Sequence, residues 1–275
     1  MYLHKKFDSF IDLDGTLLND EGKILPNSIK VLRQISHKGV KVVLTTGRPL
    51  ISVKPFLKEL NLDASSHQYV ITFNGAIIEN TQGKTIKEAA FDIQTFIDFE
   101  LWANNINLYN QLETPNFLYT TYTNIPIEAA HESWKNKLPM KVKTLHDLIE
   151  ISKKLVLLKI MAVGDKEELD RVQNNIPQSI LEKLNPIRSE PEYLDFAAPN
   201  IDKGWALKKL AEYLDLIPSE IMAIGNADND IPMIKYAGTG IAMASSTPTL
   251  LKIADYKTAS NNIDGIEKAI KKFIL

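Results

Sequence analysis

Short apolar runs recur along the chain, and most are followed by a polar stretch and then by apolar positions at helical spacing. Phe7 to Asp12 carries the first strand pattern. Ile29, Leu32 and Ile35 then share one face of a helix expected over Asn27 to Lys38, with Gly39 as its stop. Val40 to Thr46 is β-branched through its middle and apolar on both faces, the pattern of a buried parallel strand. GRPLISVKPFLKEL predicts a loop and then a helix. YVITFNGAIIEN predicts a strand, a break at Asn74-Gly75 and a second strand. Strand alternating with helix in this way predicts an α/β fold with a doubly wound parallel sheet.

After about Gly83 the rhythm changes. TFIDFELWANNI and DKEELDRVQNNI read as helices; LYNQLE, FLYTTYT and KKLVLLKIMAV read as strands. Aromatic-rich strands with longer polar connections predict an α+β insert rather than more of the same sheet. From about Ser189 the first rhythm returns, with KGWALKKLAEYL as helix, IMAIG as buried strand, NDIPMIKYAG as helix, TGIAMA as strand and GIEKAIKKFI as a last helix. The expected organisation is a core in two segments, 1–82 and 189–275, interrupted by an inserted domain at 83–188.

Composition narrows the classes of function. The 275 residues are 44% hydrophobic and carry a formal net charge of -2, so no strong field for nucleic acid or an anionic membrane is expected. Cysteine is absent, which excludes disulfides, thiolate zinc sites and cysteine nucleophiles, and fits a reducing compartment. The start MYLHKKFDSF lacks the apolar core of a signal peptide, and no apolar run is long enough to span a bilayer. A cytoplasmic enzyme without nucleic-acid or membrane partners is expected, as monomer or homodimer.

Four strand ends collect residues that suit chemistry. In FIDLDGTLL, Asp12 and Asp14 are two apart, so both carboxylates share a face at the carboxyl end of a parallel strand, where open α/β sheets bind ligands. Two such charges recruit a cation or raise a pKa, and Mg2+ takes hard oxygen ligands. Gly15 permits a sharp turn that faces amides towards an anion. The bland alternative is an Asx-type turn. LTTGRP offers the Thr45 and Thr46 hydroxyls, the Gly47 backbone and the Arg48 guanidinium, all suited to phosphate, or else an ordinary strand-to-helix turn. NIDKGWAL puts Lys203 before an amphipathic helix, where it serves a phosphate or is a solvated charge. IGNADNDIPM gathers Asn226, Asp228, Asn229 and Asp230, as cation ligands or as a helix N-cap cluster.

In this order the four stretches resemble the motifs of the haloacid dehalogenase (HAD) superfamily of phosphatases. TFNGAII and GTGIAMASS…ADYKTASNNIDGIEKAI extend the likeness to the Cof-type subfamily, whose large α/β cap (type IIB) is inserted between the second and third motifs. The insert lies in that place here. The resemblance implies Asp12 as the nucleophile forming an aspartyl-phosphate, Asp14 as general acid/base, Thr46 as the hydroxyl on the transferring phosphoryl group, and Lys203 as its charge partner. It implies Leu13, Gly15, Thr45, Gly47, Arg48, Asn74 and Asn229 around the phosphate. Mg2+ would rest on Asp12, the Asp14 carbonyl, Asn226 and Asp230, with Asp228 as a further candidate.

One position departs from the pattern. The fourth motif usually reads GDxxND, and Asn226 stands where its first Asp, a direct metal ligand, is expected. An amide oxygen still ligates Mg2+, but with one negative charge fewer, so metal affinity is expected to fall. The implied activity is hydrolysis of small phosphate esters, such as sugar phosphates, nucleotides or cofactor phosphates. A phosphomutase or other phosphotransferase shares the intermediate, and a binding protein with a weakened metal site shares the fold. His4, His37, His67, His131 and His146 show no ligand spacing. Trp102, Trp134 and Trp205 are expected in packing, and KNKLPMKVK as a solvated basic face.

Overall fold

The computed structural model describes residues 7–275, so His4 lies outside the described residues. Strands β1 (Asp8–Asp12), β2 (Val42–Thr45), β3 (Tyr69–Thr72), β4 (Ile77–Asn80) and β5 (Thr85–Glu88) are five of the strands of an eight-stranded sheet. A second, six-stranded sheet is built from β6 (Asn110–Glu113), β7 (Leu118–Thr120), β8 (Met140–Val142), β9 (Lys159–Val163), β10 (Asn185–Glu190) and β11 (Tyr193–Ala197). The chain then returns to the first sheet with β12 (Ile221–Gly225), β13 (Thr239–Ala242) and β14 (Tyr256–Lys257).

The first sheet runs β14-β13-β12-β1-β2-β3-β4-β5. β1 pairs in parallel with both β12 and β2, and the parallel run continues to β3 on one side and β14 on the other. β4 returns antiparallel to β3. Alternation along these strands feeds two layers. Ile11, Val42, Leu44 and Ile224 pack with Val31, Leu32 and Ile35 of the helix Pro26–His37 and with Ile266 and Ile270 of the helix Gly265–Phe273. Phe10, Val43, Ile71 and Ala223 pack on the other face with Ala206, Leu207 and Leu210 of the helix Lys203–Tyr213. Helices on both faces of a mainly parallel sheet make this a doubly wound α/β core; Asp12, Asp14 and Thr46 lie at the carboxyl ends of its strands or in the loops after them, whereas Lys203 opens the helix Lys203–Tyr213.

The second sheet runs β10-β11-β9-β6-β7-β8 and is antiparallel except between β7 and β8. One face packs Leu112, Ile160, Ala162, Leu194 and Phe196 against Phe96 and Phe99 of the helix Ile93–Asn105, Leu148 and Leu169. The opposite face carries a smaller cluster of Tyr109, Met161, Val163 and Tyr193, covered by Ala129 of the helix Ile127–Asn136. By packing, the chain divides into one unit that ends at Lys87 and resumes at Asp202, and a second unit spanning Glu88–Ile201. The expected insert, 83–188, begins before β5, which belongs to the first sheet, and ends inside β10, cutting the β10–β11 hairpin that belongs to the second unit because β11 pairs with β9. A buried run such as YLDFA fits either sheet, and only its pairing partner decides.

The helices Ile127–Asn136 and Leu145–Ile151 are not among the elements expected from the sequence, although Thr144 and Asp147 form a capping box at the start of the second. Trp102 packs edge-on against Phe99 and Phe196, and Trp205 lies against the layer around Phe10. Trp134 corrects the expectation of packing: it is 78% exposed, because its helix turns Ala129, Glu132 and Asn136 inwards. Within the basic stretch, Lys135 pairs with Glu190 at 2.6 Å and the Lys141 ammonium lies 3.2 Å from the centre of the Phe117 ring. Among the described residues no helix is long and apolar enough to cross a membrane.

Candidate active site

β1 delivers Asp12 at its last residue, directly across from Thr45 of β2. Asp12 is 5% exposed, and its Oδ1 accepts a hydrogen bond from Lys203 Nζ at 2.6 Å. The same ammonium donates to Asp230 Oδ1 at 2.6 Å. Burial opposes the charge on Lys203, but Asp12 and Asp230 outweigh it and push the ammonium pKa up. Asp12 is pushed up to about 7, first by burial and then by repulsion from Asp230, against the pull of Lys203. Lys203 owes its place to Asp202, whose carboxylate caps the helix by accepting from Trp205 N at 2.7 Å.

Asp230 was expected among the cation ligands, yet both of its oxygens are in use. Oδ1 holds Lys203, while Oδ2 accepts from the Asn226 and Ala227 amides at 2.9 and 3.1 Å. Asp228 braces the loop by accepting from Thr247 Oγ1 at 2.6 Å. Asn226 instead aims its amide at β1. The inward amide atom is 3.1 Å from Asp12 Oδ2, 3.0 Å from the Asp14 carbonyl oxygen and 2.9 Å from Thr16 Oγ1. Gly15, at φ 75°, makes this approach possible, since a Cβ there would overlap the Asn226 amide.

HAD phosphatases are generally metal-dependent, and the residues here fit a small divalent cation. Asp12 Oδ2, the Asp14 carbonyl and an inward Asn226 oxygen converge at the spacing just given, and all are hard oxygen donors. Among the described residues no group of three or more His, Cys, Asp or Glu forms a metal-ligand set. A cation here would therefore rest on one carboxylate, one carbonyl and one amide, a donor set low in charge.

The remaining candidates frame the same strand ends. Arg48 Nε donates to Asp14 Oδ2 at 2.8 Å and its Nη2 to Asp14 Oδ1, so the guanidinium expected on phosphate is here a fork on Asp14. Thr46 Oγ1 accepts from the Arg48 amide at 3.1 Å, which leaves its hydroxyl proton to donate. The Thr45 hydroxyl is buried without a hydrogen-bond partner among the described residues. Phe73, Asn74 and Gly75 all have positive φ, and this turn is pinned by the Phe73 and Asn74 amides donating to the Arg48 and Thr46 carbonyls. It brings the Asn74 amide beside Gly47 and within 3.3 Å of Asn229 Nδ2. Leu13 is fully buried, so its side chain packs in the core and is no contact for a ligand.

Two contributors were not singled out by the sequence. Thr16 touches Asn226, and its only sequence signal is its place after Asp14-Gly15. Asp202 caps the Lys203 helix, and an Asp directly before a helical pattern is a recognisable N-cap.

The chain matches the family described as haloacid dehalogenase-like hydrolase over residues 9–270. It belongs to that family. Across its length this HAD hydrolase is similar to "Putative phosphatase YxeH" of Bacillus subtilis (strain 168), at 34% identity covering 96% of this chain and 97% of the relative. It is also similar to the 5-amino-6-(5-phospho-D-ribitylamino)uracil phosphatase YcsE of the same organism, at 29% identity covering 96% and 94%. A solved HAD subclass IIB sugar phosphatase, BT4131, superposes with a TM-score of 0.80, covering 98% of this chain and 99% of that one; at 22% identity that likeness speaks for the fold alone.

Proposed function

We propose that this protein is a Mg2+-dependent phosphatase of small phosphate monoesters that works through a covalent aspartyl-phosphate on Asp12. That the chain is a HAD-type hydrolase of phosphate esters follows from its family and its phosphatase relatives. Of the classes left open by the sequence, hydrolysis is the one the relatives support. One observation carries the finer statement: the two oxygens of Asp12 have different surroundings. Oδ2 faces the Asp14 carbonyl and Asn226, whereas Oδ1 is held by Lys203.

Asp12 Oδ2, the Asp14 carbonyl and Asn226 would hold the cation. Bound there, it offsets the repulsion between an anionic carboxylate and an anionic phosphate. Oδ1 is then the attacking atom. It bonds to phosphorus as the ester P–O bond breaks, and the leaving oxygen takes a proton from Asp14. In the second half Asp14 takes a proton from water, the water oxygen bonds to phosphorus, the Oδ1–P bond breaks and phosphate leaves. Arg48 must release Asp14 for these transfers, since the fork occupies both carboxylate oxygens. Lys203 holds Oδ1 and opposes charge build-up, and the Thr46 hydroxyl donates to the moving phosphoryl group. Asp230 orients Lys203 in this scheme rather than taking the cation. The unit Glu88–Ile201 corresponds to the inserted cap.

Phosphate release is the direct test, measured over sugar phosphates, nucleotides, cofactor phosphates and the ribitylaminouracil phosphate that YcsE is named for. Turnover is expected with Mg2+ and not with chelator. Asp12→Asn is expected to lower it by at least about 1,000-fold, because covalent catalysis is lost. No phosphate release from the whole panel, or an Asp12→Asn variant with full turnover, would overturn the proposal.

A further inference from the structure

The amide of Asn226 has two seats of nearly the same shape but opposite chemistry. With nitrogen inwards, it donates towards Asp12 Oδ2 and the Asp14 carbonyl, and Thr16 Oγ1 accepts from it as well. The outward oxygen then meets groups that are all donors. Every polar atom of the side chain is satisfied. With oxygen inwards, only the Thr16 hydroxyl donates to it, at 2.9 Å. Asp12 Oδ2 and the Asp14 carbonyl become acceptors facing an acceptor at 3.1 and 3.0 Å, while the outward nitrogen faces donors. A positive charge among the three oxygens would turn the inward repulsion into ligation and offset the clash that remains at the outward nitrogen.

The same spacing suits such a charge. Adjacent ligands of an octahedral Mg2+, with bonds of about 2.1 Å, lie about 3 Å apart. The backbone does not need to move between seats. The Asn226 amide is tied to Asp230 Oδ2 and its carbonyl accepts from Thr247 N at 3.0 Å, so the turn is confined to the side chain. Thr16, fully buried, serves both seats because a hydroxyl is donor and acceptor at once.

We infer that Asn226 is a two-position gate on the cation site, nitrogen inwards when no divalent cation is bound and oxygen inwards as a ligand when one is. The inference rests on the cation-dependent phosphatase proposed above. It makes the side chain a competitor for the cation as well as a ligand to it, and the measured affinity is reduced by the fraction of molecules in the nitrogen-inward seat. An aspartate at 226 has no inward donor. It would crowd a third carboxylate next to Asp12 and Asp230, which share the single ammonium of Lys203.

The test follows the Asn226 side-chain NH2 resonances of the intact protein, assigned through its backbone, alongside calorimetry of Mg2+ binding. In chelator the NH2 protons are expected to be protected from exchange. Mg2+ is expected to shift them and remove that protection as the calorimetric site fills. Asn226→Asp is expected to bind Mg2+ at least tenfold more tightly, and to melt at a lower temperature than the parent in chelator but not in saturating Mg2+. If Mg2+ binds and the NH2 signals neither shift nor lose protection, the gate is overturned while the phosphatase proposal stands. If no divalent cation binds at all, the cation site and the gate fall together. If Asn226→Asp does not fold even with Mg2+, the NH2 signals of the parent decide by themselves.

Discussion

At the residue scale the site is governed by one buried ammonium serving two buried carboxylates. Lys203, Asp12 and Asp230 are each no more than 5% exposed, so neither acid has water to fall back on. Lys203→Met is therefore expected to cost about 3–5 kcal/mol, the usual result of removing one partner from a buried charge set. Urea denaturation measures it. Adding Asp12→Asn to that variant is expected to recover part of the loss, since one of the stranded charges is removed. Phosphate release is expected to fall below detection in both. Recovery of stability without recovery of activity separates the electrostatic role of Lys203 from simple packing.

At the element scale the strand-end loops depend on backbone positions that tolerate no side chain. Gly75 has φ 104°, and a Cβ on it would overlap the carbonyl of Asp202, the residue that caps the Lys203 helix. Gly22 has φ 72° but nothing within 4 Å. Alanine at the two positions separates conformational cost from steric cost. Gly22→Ala is expected to lose about 1 kcal/mol in urea denaturation and keep its activity, the cost of positive φ alone. Gly75→Ala is expected to lose about 3 kcal/mol and most of its phosphatase turnover, because the clash displaces the helix start that presents Lys203. Equal losses at both sites would show that contact with Asp202 is unimportant.

At the scale of the whole molecule, the second unit carries a buried ionic cluster of its own. Lys159 Nζ lies 3.2 Å from Glu113 Oε2 and 3.2 Å from Asp195 Oδ1, all effectively without solvent contact. Burial pushes Glu113 up to about 7, only partly offset by Lys159, and raises Asp195 and Glu132 as well. Between about pH 5 and pH 7 the folded chain then holds protons that the unfolded chain has already released, since free glutamate titrates near 4.3. Stability consequently falls as pH rises through that window. Lys159, raised in the fold, contributes throughout it and adds no slope. Denaturation at pH 5 and pH 7.5 is expected to show a loss of about 1–3 kcal/mol in the parent. Glu113→Gln is expected to reduce the difference, leaving the part that Asp12, also pushed up to about 7, contributes with the same sign. A parent stability that rises with pH would reverse the sign and refute this account.

The alternation of buried strand and amphipathic helix was written in the local sequence, because burial on a strand or helix repeats with the period of the backbone. Phe10 and Ile11 feed opposite layers for that reason, and the order of motifs at the strand ends was enough to place the family. Pairing partners were not written there. YLDFA joins the second sheet only because β9 receives it. Which sheet face the helix Ile127–Asn136 covers, through Ala129, is likewise set by tertiary packing. Within the site, Lys203 reaches Asp12 across 191 residues and Thr16 reaches Asn226 across 210. A sequence motif names such groups but says nothing of which oxygen each one takes. Asp230 bound to Lys203, Arg48 bound to Asp14, and Asn226 facing three oxygens are outcomes of distance and direction, set when separate loops close around one buried charge.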